Sequence, residues 1–349
     1  MNVLERARDY ERVIFARDEA AGLRTIIAIH STRLGPALGG CRIQPYASED
    51  EALEDVMRLA ESMTWKAAAA GLDLGGGKAV IIADPARDKT EALLRAYGRV
   101  VDSLGGRYIT SVDVGSTVED LDEIRRETRH VVGVSPAYGG SGDPSPITAA
   151  GVASAIRSCV YQTFRDAGIS QRRIVVQGAG KVGYHLAGLL AHEGANVVVA
   201  DPNVDALGRV VADFGVETTA ADTVLETECD VLAPCALGGV LNEDTIPRLK
   251  CRIVCGSANN QLARIEDADA LRRADVLYAP DFIVNSGGLI SVADEMVGWH
   301  HDRVMARVEK IGRTLLDIFH LASVENTSTG VAAVEYAKRR MQTIGALNR

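Results

Sequence analysis

The sequence lacks the long apolar segments that mark membrane and exported proteins. It contains no run of about 18 apolar residues, and its first residues, MNVLERARDYERV, include no apolar signal core. It also lacks a long Lys/Arg-rich stretch, and the formal net charge of −9 disfavours binding to nucleic acid or to an anionic membrane. We find no internal repeat and no low-complexity tract. These absences predict a cytoplasmic protein with neither a membrane nor a nucleic-acid partner.

The cysteines and histidines lack the spacing of a metal site. The six cysteines include no CxxC pair, and most lie in apolar contexts, which favours reduced, buried thiols over disulfides or metal ligands. His300 and His301 are adjacent, and adjacent side chains on a helix point about 100° apart rather than at one ion. We therefore predict no metal. The cysteines are Cys41, Cys159, Cys229, Cys235, Cys251 and Cys255.

The length allows two domains of ordinary size. With 349 residues, of which 47% are hydrophobic, the chain can bury two separate cores. Residues 136–146, PAYGGSGDPSP, contain three prolines and three glycines. This composition is typical of a linker, so we expect it to separate an N-terminal from a C-terminal domain.

Two lysines stand on either side of a stretch that is poor in side chains. Residues 48–70 read as a helix that ends at Gly71 and places Lys66 near its end. A triple glycine, 75–77, then bends the chain before an apolar strand, 79–83, with Lys78 at its entrance. A lysine held beside a second cation in a dry cleft loses its proton readily and can act as a base. Taken alone, Lys66 fits a solvated surface lysine better than a ligand-binding one.

A phosphate-binding loop is the obvious rival interpretation of this glycine-lysine stretch. That motif requires Gly at 72 and Ser or Thr at 79, where this sequence has Leu72 and Ala79. The rival is therefore excluded.

The remaining elements of the N-terminal half are shorter. We predict strands at 13–16, 23–30, 108–112 and 130–134, a glycine-rich turn at 34–40, and a helix opened by Asp88 and Glu91 that runs to 105–106. Asp113 follows the 108–112 strand and precedes Gly115, where side chains project into a cleft. An Asx turn that caps a helix at 117–127 explains Asp113 equally well.

The C-terminal half alternates strands and helices, which predicts a parallel sheet with helices on both faces. A strand at 174–176 leads into GAGKVG and a helix at 182–192, and a second strand at 196–200 ends at Asp201, 23 positions after Gly178. Gly178 would make the tight turn, Gly180 would let the backbone reach a pyrophosphate, and Gly183 would allow close helix packing. This context predicts dinucleotide binding.

Three more strands end in loops that are rich in small and polar residues. The strands are 231–233, 253–255 and 276–278, and their loops contain Asn259, Asn260 and Asn285. These asparagines are candidates for the ligand site because ligands bind at the carboxyl ends of parallel strands, although Asn260 fits a turn-former better. Helices at 302–323 and 330–345 close the chain.

The stretch that contains the two lysines resembles that of a known protein family. Residues 72–85 are similar to the lysine signature of the glutamate/leucine/phenylalanine/valine dehydrogenase superfamily, and the Met-Thr-Trp-Lys of 63–66 resembles its upstream substrate-binding lysine. The similarity covers nearly the whole chain and is strongest to leucine dehydrogenases. It implies an α/β fold with an N-terminal substrate-binding and oligomerisation domain (1–140) and a C-terminal Rossmann-type doubly wound parallel sheet that binds NAD (141–325), with a cleft between them. A final helix (326–349) would pack back on the N-terminal domain.

The resemblance also implies the roles of individual residues. Lys66 would bind the substrate carboxylate, Lys78 would be the base, and Asp113 would shuttle amino-group and ammonia protons. Backbone groups of Gly39 and Gly40 would approach the substrate carboxylate. Asn259 would contact nicotinamide and Asn285 substrate, or the reverse. The side-chain pocket would be lined by Leu38, Met63, Ser111, Leu289 and Val292. NAD would contact Thr148, Gly178, Ala179, Gly180, Lys181, Val182, Gly183, Asp201 and Asn259.

The function implied is NAD-dependent oxidative deamination of leucine, valine or isoleucine to the 2-oxo acid and ammonia, reversibly, by a homo-oligomer. Ser111 and Val112 stand where most relatives have Ala and Glu, and Ser286 departs from an NAGG-like motif, so an aromatic substrate, phenylalanine or tryptophan, is the alternative. A catalytically silent NAD-binding regulator is a further alternative. A 2-hydroxy-acid dehydrogenase would need a histidine beside the cofactor, but His185 and His192 lie inside the fingerprint helix.

Overall fold

The computed structural model describes residues 3–166 and 168–347, which form two compact units. The described residues of unit 1 lie within 1–142, 291–300 and 337–349. Those of unit 2 lie within 143–290 and 301–336.

Each unit contains both helices and strands. Residues up to 142 form α1 (Val3–Arg6), β1 (Arg12–Asp18), β2 (Leu23–Ser31), β3 (Ala37–Gln44), α2 (Glu49–Ala69), β4 (Gly75–Ile82), α3 (Glu91–Ser103), β5 (Tyr108–Val112), α4 (Val118–Arg125) and a 3₁₀ turn (Pro136–Tyr138). The remainder forms α5 (Ser145–Phe164), β6 (Arg173–Gln177), α6 (Lys181–His192), β7 (Asn196–Ala200), α7 (Val204–Phe214), β8 (Glu217–Thr218), β9 (Val231–Pro234), β10 (Ile253–Val254), α8 (Asp267–Arg273), β11 (Leu277–Tyr278), α9 (Asp281–Val284), α10 (Gly287–Asp294), α11 (His301–Val308), α12 (Lys310–Glu325) and α13 (Thr329–Thr343). Further 3₁₀ turns are Val224–Glu226, Ile246–Arg248 and Glu295–Val297.

In the described part of unit 1, five strands form one mixed sheet in the order β1-β2-β4-β3-β5. β2 runs antiparallel to β1 and β4, whereas β3 runs parallel to β4 and β5. Successive side chains of a strand point to opposite faces, so each face has its own core. Ile26, Val80 and Val56 of α2 belong to one core, and Ile81, Tyr97 of α3 and others belong to the second.

In the described part of unit 2, six parallel strands form one sheet in the order β11-β10-β9-β6-β7-β8. Numbered within unit 2, this order is 6-5-4-1-2-3, which is that of the dinucleotide-binding Rossmann fold. The order reverses between β6 and β9, and loops at the carboxyl ends of strands on either side of such a reversal form the usual ligand site. The predicted α/β fold class with a doubly wound parallel sheet is confirmed.

Several predicted elements of unit 1 are wrong. Residues 34–40 were expected as a turn, but from Ala37 they belong to β3, and the 75–77 glycines lie in β4 rather than in a bend. Residues 130–134 form no strand and contribute only a bridge between Val131 and Thr110. Glycine-rich sequence suggests turns because glycine is flexible, but glycine is also required where neighbouring backbones pack closely in a sheet.

Two helix boundaries also differ from those predicted. The cap of α3 is Thr90, whose side chain accepts a hydrogen bond from Leu93 N–H; Asp88 instead accepts one from Asp84 N–H at 2.8 Å. The helix predicted at 302–323 is divided into α11 and α12.

Candidate active site

Lys78 lies on the face of the unit 1 sheet that packs against α2. Its neighbours in the pleat, Gly76 and Val80, both face α2: a Cβ on Gly76 would overlap the backbone of Thr64, and Val80 belongs to the core that α2 shares. Because residues two apart share a face, Lys78 points to the same side. The Lys78 residue is only 7% exposed. A buried lysine requires a partner, since an isolated ammonium is costly to bury.

That partner is Asp113, at the carboxyl end of β5. Lys78 Nζ lies 2.6 Å from Asp113 Oδ2. The side chain of Ser116 fixes the turn that follows: its Oγ accepts a hydrogen bond from Asp113 N–H at 2.9 Å and donates one to the Cys41 carbonyl at 2.8 Å. The structure therefore brings together the two residues that were predicted to be catalytic.

The Asx-turn explanation of Asp113 does not hold. Helix α4 is capped by Thr117, which forms a reciprocal capping box with Asp120. The Asp113 carboxylate is directed to Lys78 and to Arg42, whose Nε lies 3.3 Å from Oδ2.

The ionisation of Asp113 reflects these two cations. Burial raises its pKa, but the charge and hydrogen bond of Lys78 and the charge of Arg42 outweigh burial and hold the pKa of Asp113 below its usual value. Asp113 is therefore a carboxylate at neutral pH, and it presents negative charge inside a largely buried site.

Arg42 and the groups around it were missed at the sequence level. Arg42 Nη1 lies 2.8 Å from Asp55 Oδ2, which also accepts a hydrogen bond from the hydroxyl of Tyr46 at 2.8 Å. An arginine between two apolar residues, Cys41 and Ile43, was the available signal. It was overlooked because the strand that carries it was not predicted.

The glycines predicted to touch substrate have packing reasons of their own. A Cβ on Gly39 would overlap the Gly77 carbonyl, and one on Gly40 would lie 2.6 Å from the Val112 carbonyl and 2.8 Å from the Asp113 Cβ. The Tyr108 hydroxyl also donates a hydrogen bond to the Gly39 carbonyl at 2.7 Å. Glycine at these positions lets β3 lie close to its neighbours, and contact with substrate stays a prediction.

Lys66 belongs to the last turn of α2 and is half-buried. The close approach of Thr64 to Gly76 places this turn beside the beginning of β4, the strand that carries Lys78. His30 Nδ1 lies 2.8 Å from Thr64 Oγ1 on the same turn. The elements that carry the two lysines are therefore in direct contact.

The predicted pocket residues are largely buried. Leu38 and Ser111 lie on β3 and β5, with Gly40 paired opposite Ser111 in the sheet. Met63 is partly buried on α2. Leu289 and Val292 are buried on α10. Their contact with a substrate side chain stays a prediction.

In unit 2 the glycine fingerprint has the geometry that a dinucleotide requires. Gly178 has a φ of +105°, which a residue with a side chain rarely adopts. A Cβ on Gly183 would overlap the Gly178 carbonyl, so α6 packs close to the loop. Gly180, the N-cap of α6, is different, because a Cβ built there meets nothing within 4 Å. The loop thus presents open space at a helix N-terminus, where backbone N–H groups suit a pyrophosphate.

Asp201 links the end of β7 to this loop. Its Oδ2 accepts a hydrogen bond from Ala179 N–H at 2.7 Å, and its Oδ1 accepts one from Asn203 N–H at 2.8 Å. The predicted neighbours Lys181 and Val182 begin α6, and Lys181 lies 3.7 Å from Asp143 on the surface. The residues present therefore fit a dinucleotide at this edge of the sheet.

The two candidate asparagines contact each other. Asn285 Nδ2 donates hydrogen bonds to Asn259 Oδ1 at 2.8 Å and to the Ser257 carbonyl at 3.1 Å. Asn285 Oδ1 is buried and has no hydrogen-bond partner among the described residues. A buried carbonyl of this kind is available to a polar ligand. Asn260 has a φ of +52° and is a turn-former.

Thr148 lies in the first turn of α5, close to the N-terminus of α10. Its hydroxyl donates a hydrogen bond to the Pro144 carbonyl at 3.0 Å, and a Cβ on Gly288 would lie 3.1 Å from the same hydroxyl oxygen.

Residues 3–166 and 168–347 contain no candidate for a membrane-spanning helix or for a metal-binding cluster. No helix there is long and apolar enough to cross a membrane. Nor does that part of the chain contain a group of three or more His, Cys, Asp or Glu side chains placed to hold a metal ion. The six cysteines, all within these ranges, are free thiols.

These features define an α/β protein with a buried lysine–aspartate pair in unit 1 and a Rossmann-type sheet in unit 2. The family model described as Glu/Leu/Phe/Val dehydrogenase, dimerisation domain, matches residues 10–130, and that described as Glutamate/Leucine/Phenylalanine/Valine dehydrogenase matches residues 139–218 and 201–344. The chain belongs to this family of amino-acid dehydrogenases. The resemblance drawn from the lysine stretch is confirmed.

Individual relatives differ in the amino acid that their names give. The chain is 48% identical to a leucine dehydrogenase of Thermoactinomyces intermedius over 96% of this chain and 91% of the relative, and 47% identical to a valine dehydrogenase of Streptomyces virginiae over 95% and 94%. Among solved structures it is similar to an L-tryptophan dehydrogenase from Nostoc punctiforme, with a TM-score of 0.88 and 39% identity over 98% of this chain and 99% of the other.

Proposed function

We propose that this protein catalyses the reversible, NAD-dependent oxidative deamination of a branched-chain L-amino acid (leucine, valine or isoleucine) to the 2-oxo acid and ammonia. The observation that carries the proposal is the ion pair between Lys78 and Asp113, because a base and a carboxylate in contact at a buried position are what proton management at an amino group requires. The leucine and valine dehydrogenases among the relatives support the substrate class.

NAD would be held by the fingerprint loop and the N-terminus of α6. NAD, when bound there, would supply a hydride acceptor for the substrate Cα, and its reduced form would supply the hydride in the reverse direction. Asp201 would accept hydrogen bonds from the adenosine ribose and repel a 2′-phosphate, which favours NAD over NADP. The unpartnered Asn285 Oδ1 would meet the cofactor or the substrate, with Asn259 beside it.

The residues of unit 1 would manage charge and protons. Lys66 would bind the substrate carboxylate. The Asp113 carboxylate would stabilise the cationic iminium carbon that follows loss of hydride, and would transfer amino-group and ammonia protons. Lys78, in its neutral form, would remove a proton from the water that adds to the iminium, and a neutral lysine avoids repelling that cation.

The side-chain pocket supports a branched-chain substrate. Leu38, Met63, Leu289 and Val292 are apolar, and no charged residue is among those predicted to line the pocket. Neighbouring substrate sizes differ by only about 1–3 kcal/mol per methylene in an apolar pocket, so several branched-chain substrates would be used. An aromatic substrate is the second candidate, because Ser111 is small and because a tryptophan dehydrogenase is a close structural neighbour.

The domain roles and the assembly belong to the same proposal. Residues 1–140 would bind substrate and form the oligomer contacts, 141–325 would bind NAD, and 326–349 would supply a closing helix. The description of the N-terminal family model as a dimerisation domain supports a homo-oligomer. Action in the cytoplasm stays a prediction.

The decisive experiment measures NADH formation at alkaline pH with each of the twenty amino acids, and then kcat/KM for leucine, valine, phenylalanine, tryptophan and glutamate. A preference for leucine or valine supports the proposal. An aromatic preference above about tenfold replaces the branched-chain assignment with the second candidate. A glutamate preference contradicts the pocket, and no turnover with any amino acid contradicts the proposed reaction.

A further inference from the structure

Arg42 contacts Asp113 but has no part in the reaction proposed above. Lys78 and Arg42 both approach the same oxygen, Asp113 Oδ2, at 2.6 and 3.3 Å. Lys78 must gain and lose a proton if it serves as a base, whereas a guanidinium keeps its charge at any pH that a protein survives. Of the two cations on Asp113, Lys78 can therefore lose its charge, whereas Arg42 keeps it.

The fixed charge matters at the moment when Lys78 is neutral. Lys78, Arg42 and Asp113, with Asp55 and the Arg58 that pairs with it, together carry one positive charge while Lys78 is protonated, and they carry no net charge once Lys78 has lost its proton. Loss of that proton removes the excess positive charge beside a cationic iminium carbon, which the Asp113 carboxylate then faces. Without Arg42, Asp113 would face the neutral lysine with no counter-charge in a largely buried site, which favours its protonation.

Arg42 is itself held in place by Asp55 and Tyr46. Its Nη1 lies 2.8 Å from Asp55 Oδ2, and the Tyr46 hydroxyl donates to that same oxygen at 2.8 Å. The Arg42 side chain is 19% exposed, so it spans two carboxylates from a partly buried position. A planar guanidinium can meet two carboxylates at a fixed spacing, which a lysine cannot do.

We propose that Arg42 is a positioning residue that keeps the Asp113 carboxylate ionised and oriented while Lys78 exchanges its proton, with Asp55 and Tyr46 holding Arg42 in register. This inference rests on the proposed deamination. It assigns to Arg42 a role in the reaction that acts through Asp113 rather than through contact with substrate.

The charged and titratable groups around Asp113 come from several elements. Removing a fixed positive charge favours the protonated form of every titratable group beside it, so the sign of the expected pH shift does not depend on which group titrates. These groups are Lys78 of β4, Arg42 and Cys41 of β3, Tyr108 of β5 and, behind Arg42, Tyr46 together with Asp55 and Arg58 of α2.

The first test compares Arg42→Met, Arg42→Lys and Arg58→Gln in the full-length enzyme. Arg58 is the matched control because it pairs with the other oxygen of Asp55, Oδ1, at 2.8 Å. For Arg42→Met we expect kcat/KM with leucine to fall by about tenfold or more, mainly in kcat, and the acid limb of its pH profile to move up by about one pH unit. Arg42→Lys should keep the acid limb near its wild-type position, and Arg58→Gln should leave both quantities unchanged.

Two outcomes overturn the inference. One is an Arg42→Met enzyme whose acid limb does not move, and the other is an Arg58→Gln enzyme that shifts as far as Arg42→Met does. If Arg42→Met does not fold, the acid limb of Arg42→Lys still decides the question, because an acid limb that moves up by about one pH unit although the positive charge is retained overturns the inference.

A second test does not depend on activity, so it separates this inference from the proposed function. The melting temperatures of the wild type, Arg42→Met, Asp113→Asn and the double variant form a cycle. The effect of Asp113→Asn should differ by about 2 °C or more between the wild-type and Arg42→Met backgrounds if the two side chains are coupled. Additive effects on the melting temperature overturn the inference. If the two substitutions are coupled but the protein oxidises no amino acid, the interaction of Arg42 with Asp113 is supported and only the proposed reaction is contradicted.

Discussion

The glycines around Lys78 in unit 1 and Gly180 of the fingerprint in unit 2 serve different purposes. In unit 1, added Cβ atoms at Gly39, Gly76 and Gly77 would meet neighbouring backbone or the Tyr108 ring, so the protein itself occupies the space that a side chain would take. In unit 2, an added Cβ at Gly180 would meet nothing within 4 Å. A glycine cluster therefore does not by itself mark a ligand site. A glycine indicates a ligand site only where the space beside its Cα is left open next to a group that can bind a ligand, such as a helix N-terminus.

The aspartates of the two proposed sites also differ, in the groups that their carboxylates contact. The Asp113 carboxylate lies in a largely buried pair with Lys78 and beside Arg42, whereas Asp201 uses its oxygens to accept backbone hydrogen bonds from Ala179 and Asn203. The first arrangement suits proton transfer because an amine and a carboxylate lie in contact at a largely buried position. The second arrangement suits a loop that is held in one conformation before a ligand binds.

The largest expected effect concerns Lys78. Lys78→Ala should lower kcat by about a hundredfold or more, because it removes the proposed base, while NADH binding to unit 2 stays unchanged. Steady-state kinetics and NADH fluorescence titration measure the two quantities. The control is Lys89→Ala, which removes a half-buried lysine that also pairs with an aspartate, since its Nζ lies 2.7 Å from Asp120. Retention of more than about a tenth of kcat would remove Lys78 from the mechanism.

The next prediction tests the contrast between filled and open glycines. Gly39→Ala should destabilise the protein by about 1–3 kcal/mol or prevent folding, because its Cβ would overlap the Gly77 carbonyl. Gly180→Ala should change stability by less than about 0.5 kcal/mol but weaken NADH binding by about tenfold, since the new methyl enters the open space. Urea unfolding and NADH titration of both variants test this pair. Equal loss of stability in the two would erase the distinction.

A smaller effect is expected for Asp201→Asn. Loss of the negative charge should reduce the preference for NAD over NADP by about tenfold, because repulsion of a 2′-phosphate is removed. The ratio of kcat/KM for the two cofactors measures it. The control is Asp205→Asn, which removes a charge in the first turn of α7 and leaves the hydrogen bond from Ala179 N–H to Asp201 in place. An unchanged ratio in Asp201→Asn would show that Asp201 does not face the ribose.

The smallest effect concerns stability at low pH. The folded pKa of Asp113 lies below its unfolded value of about 3.9, so the stabilisation is fully present above that value and is lost as the pH falls through the folded pKa. The melting temperature of the wild type should therefore fall more steeply than that of Asp113→Asn below about pH 4, whereas the two should run parallel between about pH 6 and 8. Parallel curves over the whole range would mean that Asp113 is not held ionised by its neighbours.

Local sequence patterns were sufficient for much of the fold. The fingerprint of unit 2 was predicted because its strand, glycines, helix and Asp201 lie within about thirty residues, the length of one βαβ unit. Helix α2 was predicted because its apolar spacing and the Ser48 cap are local. Strand β3 was missed because Gly39 and Gly40 resemble a turn until the neighbouring strands are known.

The sequence by itself determined the family, the parallel sheet and Lys78 and Asp113 as candidates, since each depends on a short pattern. Only the tertiary structure decided what surrounds them. Arg42 meets Asp113 across 71 positions of the chain and Asp55 across 13, and the close backbone approaches of β3 are set by strands that are neighbours in space alone. Such contacts arise when a sheet forms and brings distant residues to one face, so no spacing along the chain records them.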